Sequence, residues 1–195
     1  DLDGDGGLEI IGAGWYEDFI LLSDGAFGDK TALSFGSMDD NPTDLAVADL
    51  NSDGHLDIVM TNLYMPNVIY FNDGAGNLTN SKWIYDRTRW TTAQAHAIVP
   101  ADLNGDGYLD LVNATSGGLW GPWEPSQAYI NDGTGGFGSD VRPLGNASAF
   151  SEAAAVGDLD GDHDLDIVLG NREAVNELFF NDGLGNFDGV DARQT

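Results

Sequence analysis

The sequence predicts an all-β fold: a β-propeller of four-stranded antiparallel blades, with about four blades present. Three observations predict it. An acidic segment recurs four times, as "DLDGDGGLEII" from Asp1, "DLNSDGHLDIV" from Asp49, "DLNGDGYLDLV" from Asp102 and "DLDGDHDLDIV" from Asp158, at steps of 48, 53 and 56 residues. A second segment follows each in fixed order: "SDGAFG" around Asp24, "NDGAGNL" around Asp73, "NDGTGGF" around Asp132 and "NDGLGNF" around Asp182. The composition, with 27 glycines and no cysteine, suits short strands joined by tight turns rather than a disulfide scaffold. Periods near 50 residues with turn signals are those of stacked supersecondary units, of which propeller blades are the type with four strands.

Each unit reads strand by strand. Small and apolar residues precede the acidic loop, as in "DLAVAD" (44–49), "HAIVPAD" (96–102) and "AAAVGD", and suit an innermost strand where only small side chains fit. After the loop comes a second strand, "DIVMTN" or "DLVNAT". A third strand, "NVIYFNDG", "QAYINDG" or "ELFFNDG", ends in an Asn-Asp-Gly turn, a strong hairpin signal. A less regular fourth strand follows, such as "NLTNSKWIY". The units divide approximately as 1–43, 44–95, 96–151 and 152–195, within a single partial propeller. The first unit begins at its loop and lacks an inner strand, and the last ends on its fourth strand. We therefore expect an excerpt of a longer propeller, or a chain completed by neighbouring chains.

Charge narrows the partners. There are 33 acidic residues against seven basic ones, a formal net charge of −26, which argues against nucleic acid as a partner. No apolar run is long enough for a membrane span, and no basic segment followed by an apolar one marks a signal peptide. The acidity fits a salt-adapted surface, simple solubility or cation ligation, and the positions of the acids choose among these.

Within each loop, side-chain oxygens fall at positions 1, 3, 5 and 9. They belong to Asp1, Asp3, Asp5 and Glu9; Asp49, Asn51, Asp53 and Asp57; Asp102, Asn104, Asp106 and Asp110; and Asp158, Asp160, Asp162 and Asp166. Position 7 (Gly7, His55, Tyr108, Asp164) varies freely, as expected of a residue offering only its backbone carbonyl. All-oxygen ligation suits Ca²⁺, which takes six to eight oxygens, better than Mg²⁺. About four ions per chain are expected. An EF-hand is excluded, because position 12 is Gly12, Met60, Asn113 or Leu169 rather than Glu, and a strand rather than a helix follows. Position 6 is Gly6, Gly54 or Gly107, but His163 in the fourth loop. If this position needs a positive φ, His costs about 1–2 kcal/mol there.

The pattern Asp-x-Asp/Asn-x-Asp-Gly-x-x-Asp, paired with "NDGxGxF", resembles the FG-GAP or VCBS repeats of integrin-α-like propellers. The resemblance covers all four units; Glu9, His163 and the "SDGAFG" turn depart from it. It implies one Ca²⁺ per blade, seven or eight blades in the complete propeller, and a secreted or cell-surface protein. The implied roles are adhesion, lectin-like binding, or service as an accessory domain of a secreted enzyme.

A four-strand meander puts the calcium loops and Asn-Asp-Gly turns on one face. Length variation and aromatics fall on or near the other: Trp15 and Tyr16, Tyr64, Trp83 and Trp90 with Arg87 and Arg89, and Trp120 and Trp123. That face is the expected binding surface for a protein or glycan, although some of the tryptophans are expected to pack between blades. No enzyme is expected. His55 and His163 lie in loops, His96 lies in an inner strand, and none sits in a sequence pattern of nucleophile and base. The remaining alternatives are an accessory or catalytic propeller of a polysaccharide-active enzyme, and a structural subunit of an extracellular assembly. Asn77, Asn113 and Asn146 open glycosylation sequons.

Overall fold

A computed structural model describes residues 1–15, 17–23, 30–36, 41–63, 65–78, 80–84, 94–116, 124–145 and 150–187. These residues hold fourteen strands and no helix. Every sheet is antiparallel and is wound from consecutive strands.

The first sheet is β1 (Ile10–Gly12), β2 (Asp18–Ser23) and β3 (Lys30–Phe35). The second is β4 (Pro42–Ala48), β5 (Asp57–Asn62), β6 (Val68–Phe71) and β7 (Asn80–Trp83). The third is β8 (Gln94–Ala101), β9 (Asp110–Ser116), β10 (Ser126–Ile130) and β11 (Asp140–Leu144), and the fourth is β12 (Phe150–Gly157), β13 (Asp166–Arg172) and β14 (Glu177–Phe179). The tail expected to form a fourth strand, 188–195, lies outside the described residues, as does the "SDGAFG" turn beyond Ser23.

The sheets pack face to face, and each apolar core lies between two of them. Leu2 and Ile20 from the first sheet's unit meet Ile58, Met60, Val68 and Tyr70 from the second. Leu50, Val59, Ile69 and Ile84 meet Ile98, Leu111, Tyr129 and Phe137. Leu103, Val112, Ala128 and Leu144 meet Ile167, Leu169 and Phe179. A strand with a sheet on both sides has no polar face. This is why β5 and β9 are buried along their whole length and read as continuous runs rather than alternating ones.

The small residues of the inner strands allow close approach: β4 packs on β8, and β8 on β12. Across the first of these contacts Asp44 Oδ2 accepts from Ile98 N at 3.0 Å, and Thr43 Oγ1 donates to Ala95 O at 2.6 Å. Each inner strand also carries one register irregularity at an equivalent place, beside Thr43, His96 and Glu152. The loop after each second strand closes by one recurring bond to the amide at its start. Gly14 N donates to Asp18 Oδ1, Asn62 N to Asn67 Oδ1, Thr115 N to Ser126 Oγ and Asn171 N to Asn176 Oδ1, at 3.0–3.1 Å.

Candidate functional site

Between the first two strands of each unit, the acidic loop folds around its own carboxylates. The position-1 Asp accepts from the amide of residue 6: Asp1 from Gly6, Asp49 from Gly54, Asp102 from Gly107 and Asp158 from His163, at 2.9–3.2 Å. The residue at position 3 accepts from amide 5 at 3.0–3.2 Å in all four loops. Position 5 accepts from amide 7, at 2.6 Å in the first loop and 2.9 Å in the others. These bonds fold the three alternating side chains back onto the backbone of their own loop. Oxygens of Asp1, Asp3 and Asp5 come within 4.8 Å of one another, as do those of Asp158, Asp160 and Asp166.

Such crowding is electrostatically unfavourable without a cation. Among the described residues no Lys or Arg pairs with a loop acid. The second and third loops soften the crowding internally, since Asn51 and Asn104 donate to Asp53 and Asp106 at 2.9 Å. The donor set of carboxylates, amide oxygens and exposed backbone thus fits a hard cation such as Ca²⁺.

Position 9 ties the loop to the turn. Asp57, Asp110 and Asp166 are fully buried. One oxygen of each accepts from the amide of residue 2 of its loop, Leu50, Leu103 or Leu159, at 2.8–3.0 Å. The other accepts from the backbone amide of the turn asparagine, Asn72, Asn131 or Asn181, at 2.8–2.9 Å. Burial pushes the Asp110 carboxyl up to about 6 and that of Asp57 in the same direction, against the two backbone donors that each accepts from. In the first loop Glu9 takes the bond from Leu2 N, but no described residue donates to its buried Oε1. Glu9 is also outside the oxygen cluster of its loop, as Asp162 is outside that of the fourth.

The turn asparagine, which the sequence marks only as part of a hairpin, ties the units together. Asn72 Nδ2 donates to Leu56 O in its own unit and to Leu2 O in the preceding one, at 3.0 and 2.7 Å. Asn131 does the same with Leu109 O and Leu50 O, and Asn181 with Leu165 O and Leu103 O, at 2.6–3.0 Å. The side-chain oxygen of each accepts from the two glycine amides of its turn. Those glycines have φ between +71° and +82°, a conformation that costs a residue with a side chain about 1–2 kcal/mol. Basic residues extend the tie: Lys82 Nζ donates to Gly135 O at 3.3 Å, and the Arg142 guanidinium to Leu184 O at 2.7 Å. The turn aspartates Asp73, Asp132 and Asp182 are held below the usual carboxylate range, first by bonds from the side chains of Asn77, Thr134 and Asn186.

Position 6 has the expected backbone: φ is +89°, +88° and +89° at Gly6, Gly54 and Gly107, and +80° at His163. A Cβ at any of the three glycines meets nothing within 4 Å, so the cost of His163 is one of backbone conformation. His163→Gly is therefore expected to stabilise the protein by about 1 kcal/mol, read as a rise in urea midpoint at unchanged slope. Unchanged or lower stability would show that the His163–Asp158 contact at 3.5 Å outweighs the strain.

Position-7 side chains lean over their own unit's turn. A Cβ added to Gly74, Gly133 or Gly183 would meet His55, Tyr108 or Asp164 within 3.0 Å.

Of the aromatic surface, Trp15 stands in the β1–β2 connection, 67% exposed. Trp83 is half-buried and packs against the core between the first two units. Tyr16, Tyr64, Arg87, Arg89, Trp90, Trp120 and Trp123 lie outside the described residues. Beside β7 runs a cleft of about 710 Å³, lined by Ile69, Lys82, Asp132 and Phe137 among others. Asn113 is buried within β9, closed to a glycan; Asn77 is exposed and Asn146 lies outside the described residues.

A nucleophile-and-base contact invisible in the sequence does form, with His96 Nε2 2.7 Å from Ser116 Oγ. Ser116 is only 2% exposed, and burial lowers the His96 pKa, so the pair reads as a satisfied core contact.

Fold and loops together define an all-β tandem-repeat protein with an acidic loop in each unit. The FG-GAP-like repeat model matches residues 1–60 and 49–113, more than half of the sequence, and the chain belongs to that family. No curated protein matches it. Among solved structures, it is similar to the crystal structure of the V. cholerae biofilm matrix protein Bap1, with a TM-score of 0.50 and 20% identity. The match covers 94% of this chain and 28% of that one, and at this identity the likeness is one of fold.

Proposed function

We propose that the chain is a calcium-stabilised part of a β-propeller, secreted or on a cell surface, that binds a protein or glycan and catalyses no reaction. The observation that carries this reading is the fourfold recurrence of one backbone bonding pattern at positions 1, 3 and 5, together with the crowding of three carboxylates in the first and fourth loops. The residues that would hold the ions are those at positions 1, 3, 5 and 9, with the carbonyl of position 7. The bound cation would neutralise the loop and fix the inner strand to the second strand. Successive sheets packed through their inner strands support the propeller arrangement. Family membership supports an extracellular adhesion or recognition role, and the exposed Trp15 supports a contact surface away from the loops. The likeness in fold to a biofilm matrix protein keeps a structural subunit of an extracellular assembly as the second reading.

Calorimetric titration of the chelated protein with Ca²⁺ tests the metal assignment. Three to four sites per chain and a large rise in melting temperature are expected; no heat at millimolar Ca²⁺ would sink it. The pH dependence has two opposite signs. The Asp110 carboxyl, raised to about 6, must lose its proton to bind a cation, so affinity is expected to fall from pH 7 to pH 5. In the chelated protein a raised carboxyl contributes stability that is full below the unfolded value near 3.8 and is lost as pH rises through about 6. Measured in a His96→Gln background, because the lowered His96 pKa acts in the opposite direction, the chelated protein is therefore expected to melt higher at pH 5 than at pH 7. Melting temperatures that move together in both states would contradict this.

A further inference from the structure

The turns that open with Asn72, Asn131 and Asn181 differ in the residue after their second glycine. In the second and fourth units it is Asn77 or Asn186, whose side chain donates to Asp73 Oδ2 or Asp182 Oδ2 at 3.0 and 2.9 Å. In the third unit it is Gly136. There the amides of Thr134 and Gly136 and the Thr134 hydroxyl all go to Asp132 Oδ1, and no described residue donates to Oδ2. The carboxylate lies over Gly136 instead: a Cβ added there would collide with Oδ2.

This difference falls in the groove between units. Between the third and fourth units the groove is largely filled, because Arg142 reaches Leu184 O and Asn186 Oδ1 at 2.7 and 3.4 Å, and a cleft of about 260 Å³ remains. Lys82 is the counterpart of Arg142, each paired across its hairpin with the residue three before the turn asparagine. The same position in the first unit is Leu33, opposite Ile20, and carries no charge. Among the described residues Lys82 Nζ has one bond, to Gly135 O, so two of its three donors remain. Beside Gly136 the cleft is about 710 Å³, within the roughly 300–1,000 Å³ of small-molecule sites. Buried Ile69, Ile84 and Phe137 give it an apolar base, half-buried Trp83 an aromatic side, and Ser81 and Ser139 exposed hydroxyls.

From this we infer that the cleft between the second and third units is a subsite for a neutral glycan, whose hydroxyls donate to Asp132 Oδ2 and accept from Lys82 Nζ. Charge selects the class. An anionic chain meets the protein's net charge of −26 with only Lys82 to offset it, and a cationic one meets Lys82 itself. A hydroxyl is donor and acceptor together, so neighbouring hydroxyls of one ring serve both groups at once. The C–H face of the sugar then covers Trp83 and the apolar base. The inference rests on the recognition reading of the proposed function, to which it adds a place and a ligand class, and it does not use the metal.

The test is amide NMR of the full chain in Ca²⁺, titrated with maltotriose, cellotriose, mannotriose and triacetylchitotriose to about 20 mM. At least one of these sugars is expected to give saturable shifts at Ser81, Lys82, Gly136 and Ser139. Asp132→Asn and Lys82→Met are each expected to weaken binding about tenfold, the loss of one hydrogen bond to a charged group. Gly136 has a negative φ, so Gly136→Asn rebuilds the turn of the second and fourth units without backbone strain. It is expected to draw the Asp132 carboxylate onto the new amide and abolish binding without lowering the melting temperature. Arg142→Gln, in the next groove, is expected to leave affinity unchanged. No saturable shift with any of the four sugars overturns the proposal, as does binding that Gly136→Asn and Asp132→Asn leave untouched. Equal or tighter binding of trigalacturonate or of hexa-alanine at the same amides overturns the ligand class. Shifts centred on Trp15 that survive Gly136→Asn would overturn the cleft while keeping glycan recognition elsewhere on the molecule, so the two failures are distinct.

Discussion

Asn131→Ala is expected to destabilise the protein by about 3–5 kcal/mol in urea unfolding. Truncation leaves four backbone groups without their partner: the carbonyls of Leu50 and Leu109 and the amides of Gly133 and Gly135. The Leu50 residue and the Gly135 amide are buried, so water cannot replace the lost bonds without opening the contact between the second and third units. A buried polar group left unpaired costs about 1–3 kcal/mol, and partial relaxation keeps the sum below four full penalties. Asn131→Asp isolates the donor half. It keeps both acceptor bonds, loses both amide donors, and places a second carboxylate beside Asp110, so it is expected to be at least as damaging. Asp132→Ala, one residue on and exposed, is the control and is expected to cost 1 kcal/mol or less, roughly the value of its turn bonds. An Asn131→Ala protein within about 1 kcal/mol of the wild type would show that apolar packing alone holds the units together.

What was legible in the sequence follows the range over which each interaction acts. The acidic loop is local. Its bonds join residues two to seven positions apart, so ligand positions, the strand at Asp57–Asn62 and the special backbone at His163 all leave a mark in neighbouring residues. The asparagine tie is not local, because its partners lie 70, 81 and 78 residues away. The only trace available was that the Asn recurs in three turns and is replaced by Ser23 in the first. The contact of His96 with Ser116 is likewise made by strand pairing rather than by spacing. Outer strands were the hardest to read. Three of the four residues of β7 are exposed, so it carries no apolar period, and its Lys82 owes its place to a carbonyl in the next unit.

Asp110→Ala and Asp106→Ala, four residues apart in one loop, are expected to part company when calcium is removed. Asp110 is fully buried and accepts the amides of Leu103 and Asn131, so its loss orphans two buried donors and costs about 3–5 kcal/mol even in chelator, with a further loss in Ca²⁺ if it is also a ligand. Asp106 is exposed and holds only the Tyr108 amide and the Asn104 side chain. In chelator its removal also relieves repulsion with Asp102 and Asp110, and the two effects nearly cancel. In Ca²⁺ the same substitution removes a ligand, so one site is expected to disappear from the titration and the gain in melting temperature on adding calcium to shrink. A penalty for Asp106→Ala seen only in Ca²⁺, beside one for Asp110→Ala that is already large in chelator and grows in Ca²⁺, separates the two functions in one nine-residue segment. Position 9 would then be the place where the cation and the frame share a side chain, and filling the site would pull on the strand junction and on the neighbouring turn through a single carboxylate. Equal penalties for Asp106→Ala in both media would assign the acids to turn formation alone.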